Sequence, residues 1–414
     1  MRASHAIVMR EEDDDTQVIS ALRDRCNDPL GVLERAFDRV LPRLGLKKSP
    51  LSIMRRYVRV SGVASVLRLT PRVHLEIVPK IYRASDPWRE DLFFMTTLSR
   101  YGRLLSHSSL GLAADGNTYP SMMAEALAAE IRNASSRPLR LYMPSQFRDF
   151  ELVGESDPID IVSPGPEGIP QDTSSLTDRN AFSGTIARAA RRALRHAASR
   201  KSAQLLGNYA QRYEHLPMAS ERRVPRHAQN WQVAYEIALS VLGRGSRGRA
   251  SSGAGLSDMI VRGDRVWEDV IWTGLRSVPG AVKKPPNLIL GVSERVLPET
   301  TEMSDITANP DYLLKPAIDP ASSSHVVDAK YKTLKSTPSK ADVYEMLSFC
   351  RAASADKAIL LYPCREPAGF VDLSTRIKSS GVSILCVRLG VRDVSQRSGV
   401  TRFVHAVRQV PNIQ

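Results

Sequence analysis

The stretch HVVDAKYKTL, His325–Leu334, opens as an apolar run and then carries an acid and two lysines, Asp328, Lys330 and Lys332. In an extended chain alternate side chains leave from the same face, so Asp328 and Lys330 point one way and Ala329 the other. Val326 and Val327 read as strand. A strand that ends with opposite charges side by side on one face needs a reason to hold both there.

The reason lies in neighbouring segments. Upstream, NPDYLL (309–314) sets Pro310-Asp311 at the start of a second apolar strand, with room before Asp328 for a turn built on DPASSS (319–324). Adjacent strands lie about 4.7–4.9 Å apart, so Asp311 and Asp328 can share one small cation. Two carboxylates, a backbone carbonyl such as that of Ala329, and several waters are the ligands that Mg²⁺ takes, with Mn²⁺ as the expected substitute. Such an ion can activate water and neutralise charge on a phosphodiester. Lys330, on the same face, would then orient or help deprotonate the water, or stabilise the pentavalent phosphate. The helix DRVWEDVIW (264–272) has a buried stripe of Trp267, Val270, Ile271 and Leu275, which leaves Glu268 at its edge, able to reach the same ion directly or through water. The helix around ADVYEMLSFC (341–350) buries Val343, Met346, Leu347 and Cys350, turning Asp342 and Glu345 out of the core. An Asp-x-Lys triplet by itself is equally a weak cross-strand ion pair at a sheet edge. The expectation of chemistry rests on the segments taken together.

The rest of the chain frames this region. With 414 residues, 42% hydrophobic and 25% charged, it can bury a sizeable core and form two or three domains. Its net charge of +14 favours polyanionic partners. Cys26, Cys350, Cys364 and Cys386 form no CxxC pair, which argues against a structural zinc or disulfide framework and fits a reducing compartment. No secretory core or membrane-spanning run is read, so a soluble cytoplasmic chain is expected. Residues 55–82 alternate apolar and polar, with Val73, Leu75 and Ile77 opposing Arg72, His74 and Glu76: a half-buried antiparallel sheet turning at Ser61-Gly62 and Thr70-Pro71. The acidic run Glu11 to Asp15 reads as a solvated lead-in, and Tyr331 as packing on the far face of its sheet. Residues 154–175, rich in Pro, Gly, Asp and Ser, read as a loop or linker. Residues 183–213 and 230–242 read as helices, and the Gly-Ser-Arg segment 243–255 as a hinge.

These motifs carry a resemblance. Pro310-Asp311 followed by Asp328-Ala329-Lys330 resembles the PD-(D/E)xK nuclease signature. The longer string VVDAKYK, then ADVYEML and AILLYP, resembles the nuclease subunit of McrBC-type modification-dependent restriction systems. Asp342-Val343-Tyr344 matches that family's Asp-x-Tyr-Gln, with Glu345 in place of the glutamine. Asp258-Met259 and Trp267-Glu268 echo its Asp-Met and aromatic-Glu pairs, with tryptophan where phenylalanine is usual, and LEIVPKIY (75–82) resembles its Ile-x-Pro-Lys strand. The resemblance implies an α/β nuclease domain over 251–414, a mixed sheet flanked by helices. It further implies an amino-terminal α+β domain over 1–155 that engages a partner, and a helical and linker region over 156–250 with a basic helix. The implied activity is Mg²⁺-dependent DNA cutting in a prokaryotic restriction or anti-phage system, with a separate McrB-like AAA+ GTPase or ATPase as partner. The sequence contains no G-x-x-x-x-G-K-[ST] string, so a phosphate-cradling loop must come from elsewhere.

Arg188, Arg191, Arg192 and Arg195, with Lys201, fall along one face if 183–213 is a single helix. They could track a phosphate backbone, meet an acidic partner or simply face solvent. Lys332 and Lys335 could contact DNA near the cleft. Two other readings stay open: a non-catalytic adaptor that activates a motor, and an autonomous nuclease for RNA or single strands. Cutting both strands would call for self-association.

Overall fold

The computed structural model describes residues 5–44, 46, 48–54, 57–70, 73–101, 119–221, 223–242, 259–286, 288–296, 301–314, 324–334, 336–379, 381–396 and 398–413. The expected hinge at 243–255, Asp258, Lys335, Pro71, Arg72 and most of the 319–324 turn lie outside the described residues. Two compact units result, one from residues 1–107 together with 258–414, the other from 108–257. They do not divide at 155 and 250, where composition suggested boundaries. Residues far apart in sequence pair as strands, and composition carries no trace of that.

The first unit begins with β1 (His5–Arg10), α1 (Gln17–Arg23), α2 (Pro29–Leu44), β2 (Leu51–Ile53), β3 (Val58–Val60), β4 (Val63–Thr70), β5 (Val73–Val78) and α3 (Trp88–Tyr101). The alternation in β5 is real: Val73, Leu75 and Ile77 are buried in a core with Leu22, Leu33, Phe37 and Leu67. The sheet is mixed, because β1 joins β5 in parallel while β4 pairs with it antiparallel. The acidic run is only in part the solvated lead-in expected: Glu12, Asp13 and Asp14 are exposed. Glu11 is fully buried, Asp14 pairs with Arg59 at 2.9 Å, and Asp15 Oδ1 accepts the Gln17 and Val18 amides at 2.7 and 3.0 Å to start α1. Short acids at a helix start satisfy amides that have no intrahelical partner.

The second unit holds α4 (Tyr119–Ala134), β6 (Leu141–Asp149), α5 (Pro158–Val162), β7 (Ile169–Thr177), α6 (Ala181–Ala193), α7 (Arg200–Tyr213) and α8 (Gln232–Val241). The expected 154–175 linker is mostly ordered: β6 and β7 form an antiparallel ribbon, Leu141 opposite Thr177 and Asp149 opposite Ile169. Its strands are largely exposed, so no buried face imposes alternation. Gln171 braces the excursion, accepting the Val153 and Gly154 amides at 2.7 and 2.9 Å and donating to the Glu151 carbonyl at 2.7 Å. The long helix expected over 183–213 is two helices. Buried Glu125 accepts the Ala198 and Ser199 amides at 2.8 and 3.0 Å, and Ser199 caps α7. A carboxylate that takes these amides leaves them unavailable to continue α6.

The chain then re-enters the first unit with β8 (Met259–Arg262), which pairs antiparallel with β4. Next come α9 (Gly263–Leu275), β9 (Ala281–Lys283), β10 (Leu288–Val296), β11 (Thr301–Ala308), β12 (Tyr312–Leu314), β13 (Ser324–Ala329), α10 (Lys340–Ala353), β14 (Ala355–Pro367), β15 (Val371–Ser379), β16 (Val382–Arg392) and α11 (Gly399–Gln409). Six strands order as β15-β16-β14-β13-β12-β9, with β13, β14 and β16 parallel and the others antiparallel to their neighbours. This is the mixed sheet flanked by helices that was expected. Its central strands are apolar on both faces, as strands covered by helices must be. Val326, Val327, Ile359, Leu360, Ile384 and Leu385 are all buried.

Candidate active site

β12 and β13 create the site. Their register pairs Tyr312 with Val327, and one step further it sets Asp311 beside Asp328. Asp311 lies just before its strand, and its Oδ2 accepts the Ala329 amide at 2.9 Å. Asp328 is only 5% exposed. Its Oδ2 lies 2.7 Å from Lys330 Nζ, a charge contact without hydrogen-bond direction that leaves this buried oxygen without a true donor. Lys330 Nζ also meets Glu345 Oε2 at 2.6 Å. The alternation read from the sequence thus holds: Asp328 and Lys330 converge, while the Ala329 backbone serves Asp311.

α9 supplies the third acid. Trp267, Val270, Ile271 and Leu275 are buried as expected, and the Trp267 indole donates to the Leu361 carbonyl at 3.2 Å. The Tyr312 hydroxyl donates to the Glu268 carbonyl, locking α9 to β12. The Glu268 side chain itself leans to Lys284 at 3.3 Å. Among the described residues, no three His, Cys, Asp or Glu side chains are gathered into a ready metal cage.

The electrostatics still mark a cation-seeking place. Burial, then the charge of Asp328, pushes the Asp311 carboxyl up to about 7. Burial raises Asp328 as well, against the pull of Lys330. Burial alone would depress Lys330, but Asp328 and Glu345 overcome it and raise the lysine above its usual range. Two desolvated carboxylates repelling each other are what a hard divalent ion relieves. The donor set therefore fits such an ion, with Asp311 and Asp328 as its core.

α10 forms the wall, and here one expectation fails. Asp342 is buried and not turned out: it binds Lys332 Nζ at 2.7 Å, accepts from the Tyr362 hydroxyl at 3.3 Å and receives the Ser339 cap through its own amide at 3.2 Å. Met346, Phe349 and Cys350 continue that buried stripe, with Val343 and Leu347 only partly covered. A carboxylate that finds a lysine and a tyrosine can occupy an inward position, which apolar periodicity cannot register. Tyr331 also departs from expectation. It donates to Glu11 at 3.0 Å and lies under Lys80 Nζ, 4.8 Å from the ring centre.

Residues 177–363 match the model of the family described as McrBC 5-methylcytosine restriction system component. Over that stretch the chain is similar to McrBC components. A chain of the refined half-complex from a tetradecameric assembly of Thermococcus gammatolerans McrB AAA+ hexamers with bound McrC shares its fold, with a TM-score of 0.66 at 15% identity over 98% of this chain and all of that one. The cryo-EM structure of the Thermococcus gammatolerans McrBC complex also matches, at 16% identity and TM-score 0.46, over 66% of this chain and 88% of that one. No curated protein matches.

The arginine stripe is spread over more than one element. Arg188, Arg191 and Arg192 lie on α6, and Arg195 in the 3-10 turn Leu194–His196 that ends it. Arg188 reaches the Leu216 carbonyl at 3.4 Å and Arg191 lies 3.7 Å from Glu214. Lys332 is drawn to Asp342. Sequence reasoning missed the roles of Asp342, Tyr362 and Lys284 beside the site: Asp342 and Tyr362 lie in the strings ADVYEML and AILLYP, but a motif does not say which side chain pairs with which. No helix among the described residues is long and apolar enough to cross a membrane.

Proposed function

We propose that this chain is the DNA-cutting subunit of a McrBC-type restriction system, a Mg²⁺-dependent endonuclease of the PD-(D/E)xK kind that works with a separate AAA+ NTPase. The observation that carries this reading is the meeting of Asp311, Asp328 and Lys330 at the adjacent ends of β12 and β13. Asp311 and Asp328 would hold the ion, with the Ala329 carbonyl completing the set and Glu268 supporting it. The ion supplies a polarised water and neutralises phosphate charge. Lys330, held between Asp328 and Glu345, would orient or help deprotonate the water, or stabilise a phosphate oxygen. Hydrolysis joins the water oxygen to phosphorus, breaks one P–O ester bond and leaves the proton on the departing oxygen.

The missing phosphate-cradling loop supports a partner that supplies the energy, and the Thermococcus McrC fold is known bound to McrB AAA+ hexamers. The β6–β7 ribbon and its excursion expose Tyr142, Phe150, Val153, Ile159 and Val162, the kind of surface that association buries. Arg188, Arg191, Arg192, Arg195 and Lys332 would add salt-sensitive hold on DNA. Two copies meeting on opposite strands would cut both.

The test is cleavage of duplex DNA by the full chain with Mg²⁺ and an AAA+ partner. Asp328→Ala and Lys330→Ala should each lower cutting by on the order of 10³-fold while partner stimulation persists. Cutting unchanged in both variants would show that these residues do no chemistry and favour the adaptor reading.

A further inference from the structure

Lys330 touches two carboxylates, and only one of them belongs to the ion site proposed above. Its Nζ is 2.7 Å from Asp328 Oδ2 and 2.6 Å from Glu345 Oε2. The Lys330 side chain is 18% exposed, so water can offer it little. An ion held by Asp328 would compete with Lys330 for that carboxylate. If Asp328 were its sole partner, the lysine would be left as a mostly buried, uncompensated charge, a costly state.

We propose that Glu345 is a positioning residue that keeps Lys330 paired when a divalent ion takes Asp328, and thereby sets how tightly the site holds that ion. The inference rests on the nuclease reading and assigns a role to the position where the resembling family carries an amide. A glutamine there can accept a hydrogen bond but cannot neutralise the ammonium.

The local architecture serves this exchange. Asp342 and Glu345 are three positions apart, on neighbouring rungs of α10. Lys330 and Lys332, just past the end of β13, both reach acids of α10. The helix therefore meets the two lysines with two acids. The Asp342–Lys332 pair is pinned by Ser339 and Tyr362 and fixes the register. Glu345, with 44% of its side chain exposed, keeps the freedom to follow the ammonium as it turns toward a phosphate.

The experiment is Mn²⁺ binding to the full chain, followed through the paramagnetic resonance of the free ion, for the wild type, Glu345→Gln, Lys330→Met and the double variant. Glu345→Gln should weaken Mn²⁺ binding about tenfold in the presence of Lys330 and less than about twofold in its absence, a coupling that a double-mutant cycle isolates. Glu345→Asp should restore part of the affinity. An equal loss on both backgrounds would overturn the proposal, because Glu345 would then act on the ion directly; so would no loss on either. Asp328→Asn separates the two readings. If it binds Mn²⁺ like the wild type, the ion site itself is wrong. If it loses the ion while Glu345→Gln does not, only the role of Glu345 falls.

Discussion

The two units weight polarity differently, although the second also buries one acid, Glu125, and the first also exposes some large apolar side chains. The unit that carries the candidate site puts charge inside: Glu11, Glu76, Asp86, Asp91, Asp328 and Asp342 are all buried. Most of them are matched by specific partners. Asp86 takes both nitrogens of Arg365 at 2.7 Å, and Asp91 accepts the Asp393 and Ser395 amides at 2.8 and 3.0 Å. Those bonds tie residues 86–91 to residues 365–395, which makes one body of two distant stretches of chain. The other unit puts apolar groups outside, from Tyr142 to Leu176, with Val162 85% exposed. Buried charge costs stability unless it is paired, and exposed apolar surface costs solubility unless it is covered. Chemistry is the natural return on the first and association on the second.

The sharpest way to break this contrast is a double dissociation. Asp328→Ala should abolish cutting and leave partner binding alone. Phe150→Ser combined with Val153→Ser and Val162→Ser should do the reverse, lowering affinity for the AAA+ partner by about a hundredfold, as loss of interface anchors does. Thermal unfolding of the triple variant should be nearly unchanged, since exposed side chains contribute little to the fold. Partner binding at wild-type strength, measured by sedimentation or calorimetry, would show that the ribbon's apolar surface has another purpose.

A smaller effect concerns pH. Asp311 is pushed up to about 7 and Asp91 to about 6, both first by burial. A carboxyl whose folded pKa lies above its unfolded value contributes stability that is fully present below the unfolded pKa and is lost as pH rises through the folded one. The ion-free chain should therefore lose stability between about pH 4 and 7. Asp311→Asn should flatten the upper part of that slope and raise the melting temperature at pH 7.5 by a few degrees, while the Asp91 contribution below pH 6 persists. Mg²⁺ should stabilise the wild type more at pH 7.5 than at pH 5, and the Asn variant little at either. A melting temperature independent of pH would mean that Asp311 and Asp328 are not the repelling pair described.

What was legible in the sequence follows the same divide. Apolar runs are the mark of a sheet with covered faces, so Val326 and Val327, and the apolar start of the strand in NPDYLL, announced β13 and β12, while the edge strands β9 and β15 were not read. The helical stripe of α9 was equally plain from Trp267, Val270 and Ile271. The site acids were found because Asp311 and Asp328 stand at the ends of such strands. The ribbon was not legible: Asp172, Ser174 and Ser175 line an exposed two-stranded surface, where no face demands alternation. The break before α7 depends on Glu125, far upstream, and the inward turn of Asp342 on Lys332 and Tyr362. Each miss is a polar group satisfied by a partner distant in sequence or position, which no local pattern encodes.

The gentlest probe lies where the site strand meets the amino-terminal sheet. Tyr331 follows Lys330 directly, and its hydroxyl donates to Glu11 Oε2, which also accepts the Lys80 amide at 3.1 Å. The other Glu11 oxygen is buried with no partner, so this carboxylate is already short of donors, and burial raises its pKa. Tyr331→Phe keeps the ring beneath Lys80 and removes one donor. The expected cost is about 1–3 kcal/mol, the penalty of leaving a buried acceptor less satisfied, or on the order of 5 °C in melting temperature. On a Glu11→Gln background the same change should cost less, because a neutral amide needs the donor less than a carboxylate does. Equal costs on both backgrounds would place the role of Tyr331 in packing against Gly263, where even a methyl group would meet its ring at 2.1 Å. In that case the buried acid just after β1 would not be what anchors the site strand.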